Sequence, residues 1–122
     1  MKIIHLTHHF GPGSTPSLVS FIHDECLNNG YNSKWIAISN PFNLNLSIYE
    51  KCLGFTSPKD PRSVLAIKKE LKSELSNNNC ILVHTHLTWP LYYTTLASLF
   101  FPKNKIILCH TEHNTFNRRR NY

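Results

Sequence analysis

The stretch Cys80 to Pro90, CILVHTHLTWP, constrains the fold more than any other part of the chain. Cys80, Ile81, Leu82 and Val83 form a continuous apolar run without polar alternation, the pattern of a strand covered on both faces in a parallel sheet. His84 and His86 close the run, and strand residues two apart point to the same side. Both are therefore expected at the carboxyl end of a central strand, where open α/β sheets bind ligands. Pro90 suits the first turn of a following helix. Leu91 to Phe101 is apolar nearly all round, as expected of a helix packed between the sheet and its neighbours.

The remaining elements fit around that corner. Lys2 to Leu6 reads as a strand running into the loop THHFGPGST, where Gly11, Pro12 and Gly13 turn the chain. Thr15 as N-cap and Pro16 as first helical residue open a helix. Its expected apolar stripe is Leu18, Val19, Ile22 and Cys26, and Asn28, Asn29 and Gly30 end it. Ser33 to Ser39 is a second strand. Asn40 to Lys59 lacks a sustained period and reads as a long connection with one short strand around Cys52 to Phe55. Asp60 and Pro61 restart order as N-cap and first residue of a helix with Val64, Ile67, Leu71 and Leu75 on one face. Lys105 to Cys109 is another buried-type strand. Right-handed crossovers between these elements predict an α/β fold, an open parallel sheet with helices on both faces.

A chain of 122 residues forms one domain at most and is small for a complete two-substrate enzyme. It contains no run of about 18 apolar residues that would span a membrane. The opening MKIIHLTHHF lacks the long apolar run and small-residue cleavage site of a signal peptide, which predicts a cytoplasmic location. The four cysteines show no CxxC spacing and read as free thiols. Of the formal net charge of +6, Arg118, Arg119 and Arg120 supply half. That balance admits an anionic partner, whether nucleic acid, an anionic membrane surface or a phosphate-bearing ligand, beside the plain reading of a solvated basic end. No recognisable nucleic-acid motif with stacking aromatics accompanies it, so nucleic acid is not expected.

Two features carry chemistry. The loop GPGSTP begins like a dinucleotide fingerprint, but Pro16 stands where the third glycine belongs and no acidic residue ends the second strand. This disfavours a nicotinamide cofactor. Gly11, Gly13 and Ser14 still let a phosphate approach backbone N–H groups at the positive end of a helix. The eight histidines are the second feature, seven of them clustered at His5, His8 and His9, at His84 and His86, and at His110 and His113. A metal reading uses the HTH pair, with Glu112 and His113 completing a set for a metal-dependent hydrolase. The pair resembles the start of the metallo-β-lactamase HxHxDH motif, yet Thr88 replaces its aspartate and Trp89 its histidine. Other readings are structural histidines and neutral imidazoles that hydrogen-bond or deprotonate a hydroxyl, which suits sugar chemistry.

Taken together, MKIIHLTHHFGPGSTPSLVSFIHDECLNNGYNSKWIAI, CILVHTHLTWPLYY and KIILCHTEHN resemble the N-terminal Rossmann-like domain of family 4 glycosyltransferases of GT-B fold. The resemblance covers nearly the whole chain. It implies an acceptor-side half of an enzyme that moves sugar from a nucleotide-sugar donor to a glycan or lipid-linked acceptor, at the inner face of a membrane. It maps the donor-phosphate loop onto Gly11, Gly13 and Ser14 and the catalytic histidine onto His113. His84, His86, Trp89 and Glu112 become substrate-binding residues. No cofactor beyond the donor and no metal is implied. Two departures stand out: Ser14 breaks the family's usual glycine pair, and these residues include no donor domain with its E-x7-E motif. The chain alone is therefore expected to be inactive.

Overall fold

The computed structural model describes residues 1–111. Five strands and three helices follow one another as β1 (Lys2–His9), α1 (Ser14–Asn28), β2 (Asn32–Ser39), β3 (Glu50–Cys52), α2 (Ser63–Asn77), β4 (Ile81–His86), α3 (Thr88–Ser98) and β5 (Ile106–Thr111). The strands form a single sheet in the order β3-β2-β1-β4-β5, parallel at every pairing. This is the Rossmann-like open sheet that the sequence predicts. The chain builds outward from β1 to one side, then returns to build β4 and β5 on the other. The direction of winding therefore reverses between β1 and β4.

Register sorts the side chains into two layers. On the face covered by α2 and α3, Ile4, Leu6, Ile36, Ile38, Ile81, Val83 and Ile106 meet Ile67, Leu71, Tyr93 and Ala97 in the main core. The face under α1 holds a smaller apolar group, Phe10, Val19, Trp35 and Ala37. His5, His84 and Ser33 belong to this second face, as the alternation of the strands requires. The helix above adapts to it. α1 buries Thr15, Pro16, Val19 and His23, and leaves Leu18 and Phe21 exposed. The stripe expected from Leu18, Ile22 and Cys26 is thus rotated toward a more polar set, because the sheet face it covers is itself polar.

Helix starts also differ from their sequence signals. Gly13, with φ 132° and ψ 165°, caps α1 two residues before Thr15. α2 begins at Ser63, because Asp60 spends its carboxylate on a turn, accepting from the Arg62 backbone N–H at 3.0 Å and pairing with the Arg62 guanidinium at 2.6 Å. The third strand sits at Glu50–Cys52, and the chain beyond it still bonds to β2, with Leu53 N–H and Phe55 N–H donating to the Ala37 and Ile38 carbonyls.

Two apolar segments are less covered than their composition implies. α3 buries Pro90, Tyr93, Thr94 and Ala97 but leaves Tyr92 and Leu96 exposed, along with Leu99 and Phe100 just beyond its end. It touches α2 and the sheet with one side only. Among the described residues β5 is an edge strand, and Ile107 and Leu108 are exposed. Among the described residues no second helix joins α1 on its face of the sheet; Ile107 and Cys109 of β5 are exposed there and Leu82 and His84 of β4 half-buried, while His86 is enclosed.

Glu70 is buried on α2 and faces two lysines. Lys34 Nζ lies 3.4 Å from Glu70 and 3.1 Å from Glu74, Lys51 pairs with Glu70, and Lys2 reaches Glu74 at 3.7 Å. The network fastens the starts of β1 and β2 to α2. Removing one partner leaves buried charge uncompensated, although the half-open lysines moderate the loss. Lys34→Ala is expected to lower unfolding free energy by about 1–2 kcal/mol in urea titrations, and an unchanged midpoint would show the network to be ornamental.

Candidate functional site

A cleft of about 220 Å³ opens where the winding reverses, between the carboxyl ends of β1 and β4. Thr7, His8 and His9 form one wall, Pro12 to Pro16 the next, and Leu87 closes the β4 side. Open α/β sheets place ligands at this reversal point, since two loops diverge there and leave a crevice. Gly13 can hold its φ and ψ without cost only because it lacks a Cβ. Its conformation starts α1 with no side-chain cap and no acidic residue in the first turn. Pro16 has no N–H and Ser17 N–H donates to the Gly13 carbonyl, so the Ser14 and Thr15 N–H groups and the positive helix end are what the first turn offers an anion in the cleft.

The opposite wall carries strain. Leu87 has φ 75° and ψ 176°, a backbone region essentially reserved for glycine. That conformation costs on the order of 1–3 kcal/mol, and it lies directly between the HTH histidines and α3. Sequence reading gave Leu87 no role; a leucine carries no signal of its own backbone angles. His8 also lines the cleft, with a buried Nε2 that has no hydrogen-bond partner among the described residues. Burial, and then the neighbouring His9, hold its pKa below the usual histidine value and keep it neutral.

Behind this cleft, on the α1 face of the sheet, β1 and β4 bring three histidines together. His5 pairs in register with His84, and His86 follows two residues on. One ring nitrogen from each of His5, His84 and His86 lies within 4.8 Å of the others. The His84 and His86 ring centroids are 4.1 Å apart, and His5 stands 5.9 Å from His84 and 6.3 Å from His86. His5 is 1% exposed and His86 0%, while His84 is half-buried. The Thr111 hydroxyl sits 2.5 Å from His84 Nε2 and holds that ring. His23 approaches His5 edge-on at 5.9 Å and hydrogen-bonds the Ser33 hydroxyl through Nδ1 at 2.7 Å. Burial, reinforced by His23 and His84, lowers the His5 pKa to about 4.

The residues picked out from sequence are thus divided. Gly13 and Ser14 line the reversal-point cleft. Gly11 lines a neighbouring cleft of about 450 Å³ with Phe10, Trp35 and Glu50. His84 and His86 do share one side, but His86 is enclosed rather than set in an open cleft. Trp89 turns to the other face, packed against the main core and beside Tyr93 at 5.7 Å between ring centroids. Glu112 and His113 lie outside the described residues. His5 is the member that sequence reading missed, because its proximity to His84 depends on the pairing of β1 with β4. Comparison of the chain with protein-family models, curated proteins and solved structures returns no match.

Proposed function

We propose that the chain is the acceptor-side, Rossmann-like half of a glycosyltransferase that uses a nucleoside diphosphate sugar. One observation carries the proposal. The uncapped start of α1 and the glycine-only backbone of Gly13 meet at the reversal-point cleft, an arrangement suited to a diphosphate. The sequence resemblance supplies the sugar and the acceptor. His8 and Ser14 offer imidazole and hydroxyl groups to the ligand beside the backbone N–H groups, while buried Thr7 spends its hydroxyl on Trp35 Nε1 and the His9 carbonyl. In this reading a nucleotide-sugar is the donor, a glycan or lipid-linked molecule is the acceptor, and a second, donor-binding domain completes the cleft. Transfer requires both substrates in near-attack geometry, and the described residues form one wall of such a site.

The test is a titration of the ¹⁵N-labelled chain with inorganic pyrophosphate and, separately, with a nucleoside diphosphate sugar. Both should shift the amides of Thr7, Gly13, Ser14 and Leu87, and the sugar nucleotide should move additional residues. Gly13→Ala should weaken binding by about tenfold or more while the sheet stays folded, because alanine is strained at this φ and ψ. Shifts confined to other parts of the sheet, or none at all, would remove the diphosphate reading.

A further inference from the structure

We infer that His5, His84 and His86 form a binding site for one divalent transition-metal ion of the zinc class. The sequence resemblance implies no metal, and the expected set of HTH with Glu112 and His113 did not include His5. The inference stands on the geometry of β1 and β4. Three imidazoles from two adjacent strands offer nitrogens within 4.8 Å of one another. Tetrahedral coordination with metal–nitrogen distances of about 2.0–2.1 Å needs nitrogens about 3.3 Å apart. Small ring rotations therefore close the set around an ion, without movement of the paired backbone.

His5 provides an independent reason. It is 1% exposed, and neither Nδ1 nor Nε2 has a hydrogen-bond partner among the described residues. Burying an imidazole with both nitrogens unpaired is unfavourable, and a chain of this size had apolar alternatives of similar volume. Metal coordination satisfies one of those nitrogens. The low pKa of His5 agrees with a ring kept neutral, the form that ligates metal.

The donor set selects the ion. Three nitrogen donors with no carboxylate favour zinc and its transition-metal neighbours over magnesium or calcium, which require oxygen. The Thr111 hydroxyl holds His84, the outer contact typical of a metal-binding imidazole. The ion has a route in beside half-buried His84, where Ile107 and Cys109 of β5 are exposed. Three protein ligands leave a fourth position for water or another oxygen ligand.

The experiment is equilibrium dialysis of the full chain against Zn²⁺, with Co²⁺ as an optical probe of coordination. One ion per chain should bind, Co²⁺ should develop the visible absorption of a low-coordinate nitrogen site, and Zn²⁺ should raise the thermal midpoint reversibly to chelator. His84→Gln and His5→Gln should each weaken binding by more than the roughly 10–100-fold that outer contacts contribute. His110→Gln, on the other face of the sheet, should bind as the parent does. Circular dichroism checks folding, and if His5→Gln fails to fold then the half-buried His84 variant decides. Absence of saturable binding, or binding unchanged in folded His84→Gln, would overturn the site.

Discussion

Metal-free protein is expected to lose about 2–3 kcal/mol of stability between pH 7.5 and pH 4.5 through His5 alone. Its folded pKa of about 4 lies below the ordinary 6.5, so the unfolded chain binds the proton more readily. The contribution is complete above pH 6.5, declines as pH falls below it, and is exhausted below the folded pKa. His5 is almost wholly enclosed, so solvent screening does not weaken the effect. His8 and His23 are shifted in the same direction, chiefly by burial, and add to the slope. Urea titrations in chelator at several pH values measure it. The His5→Leu variant, close in volume and unable to titrate, should show a flatter profile and equal or greater stability at neutral pH. A parent profile as flat as that of the variant would mean that His5 is hydrated or already protonated. The same substitution should abolish the metal site, so stability and ion binding would move in opposite directions.

The second large effect separates two isoleucines with the same sequence signature. Ile81 on β4 and Ile107 on β5 each stand in a short, continuous apolar run. Ile81 is 0% exposed in the main core, whereas Ile107 is 47% exposed at the sheet edge. Ile81→Ala should cost about 2–5 kcal/mol, through lost transfer free energy and a residual cavity. Ile107→Ala should stay within about 0.5 kcal/mol, as surface substitutions do. With a total stability of about 5–15 kcal/mol for a domain of this kind, the first change alone endangers folding. Equal costs at the two sites would contradict the edge position of β5, or would show that its open face is covered in solution.

These contrasts mark what could be read from the residues alone. Apolar runs located β1, β2, β4 and β5 to within a few residues, because strands covered on both faces must be apolar, whereas β3, Glu50–Cys52, carries no such run. The loop at Gly13 was visible because few residues other than glycine tolerate its angles. Coverage was not visible. The β5 run looks buried because apolar content does not disclose which strand ends the sheet, and α3 looks enclosed although only one side finds a neighbour. Glu70 looks like a surface residue until Lys34 and Lys51 are brought to it from other elements. His5 belongs to the same class, since its meeting with His84 and His86 is a property of strand order.

That strand order also governs how the chain acquires its structure during synthesis. Lys2 of β1 pairs with Asn32 on one side but with Ile81 on the other. At about 5–20 residues per second, the ribosome takes roughly 4–16 s to add the residues between Lys2 and Ile81. Throughout that interval β1 has one edge without its partner and half of its apolar face without α3. Closing so long a loop is entropically slow, and the pairing that seals the sheet comes late. Among the described strands, the sheet's middle strand is therefore made first and waits longest for its second partner, which leaves β1 the strand most exposed to mispairing in the nascent chain.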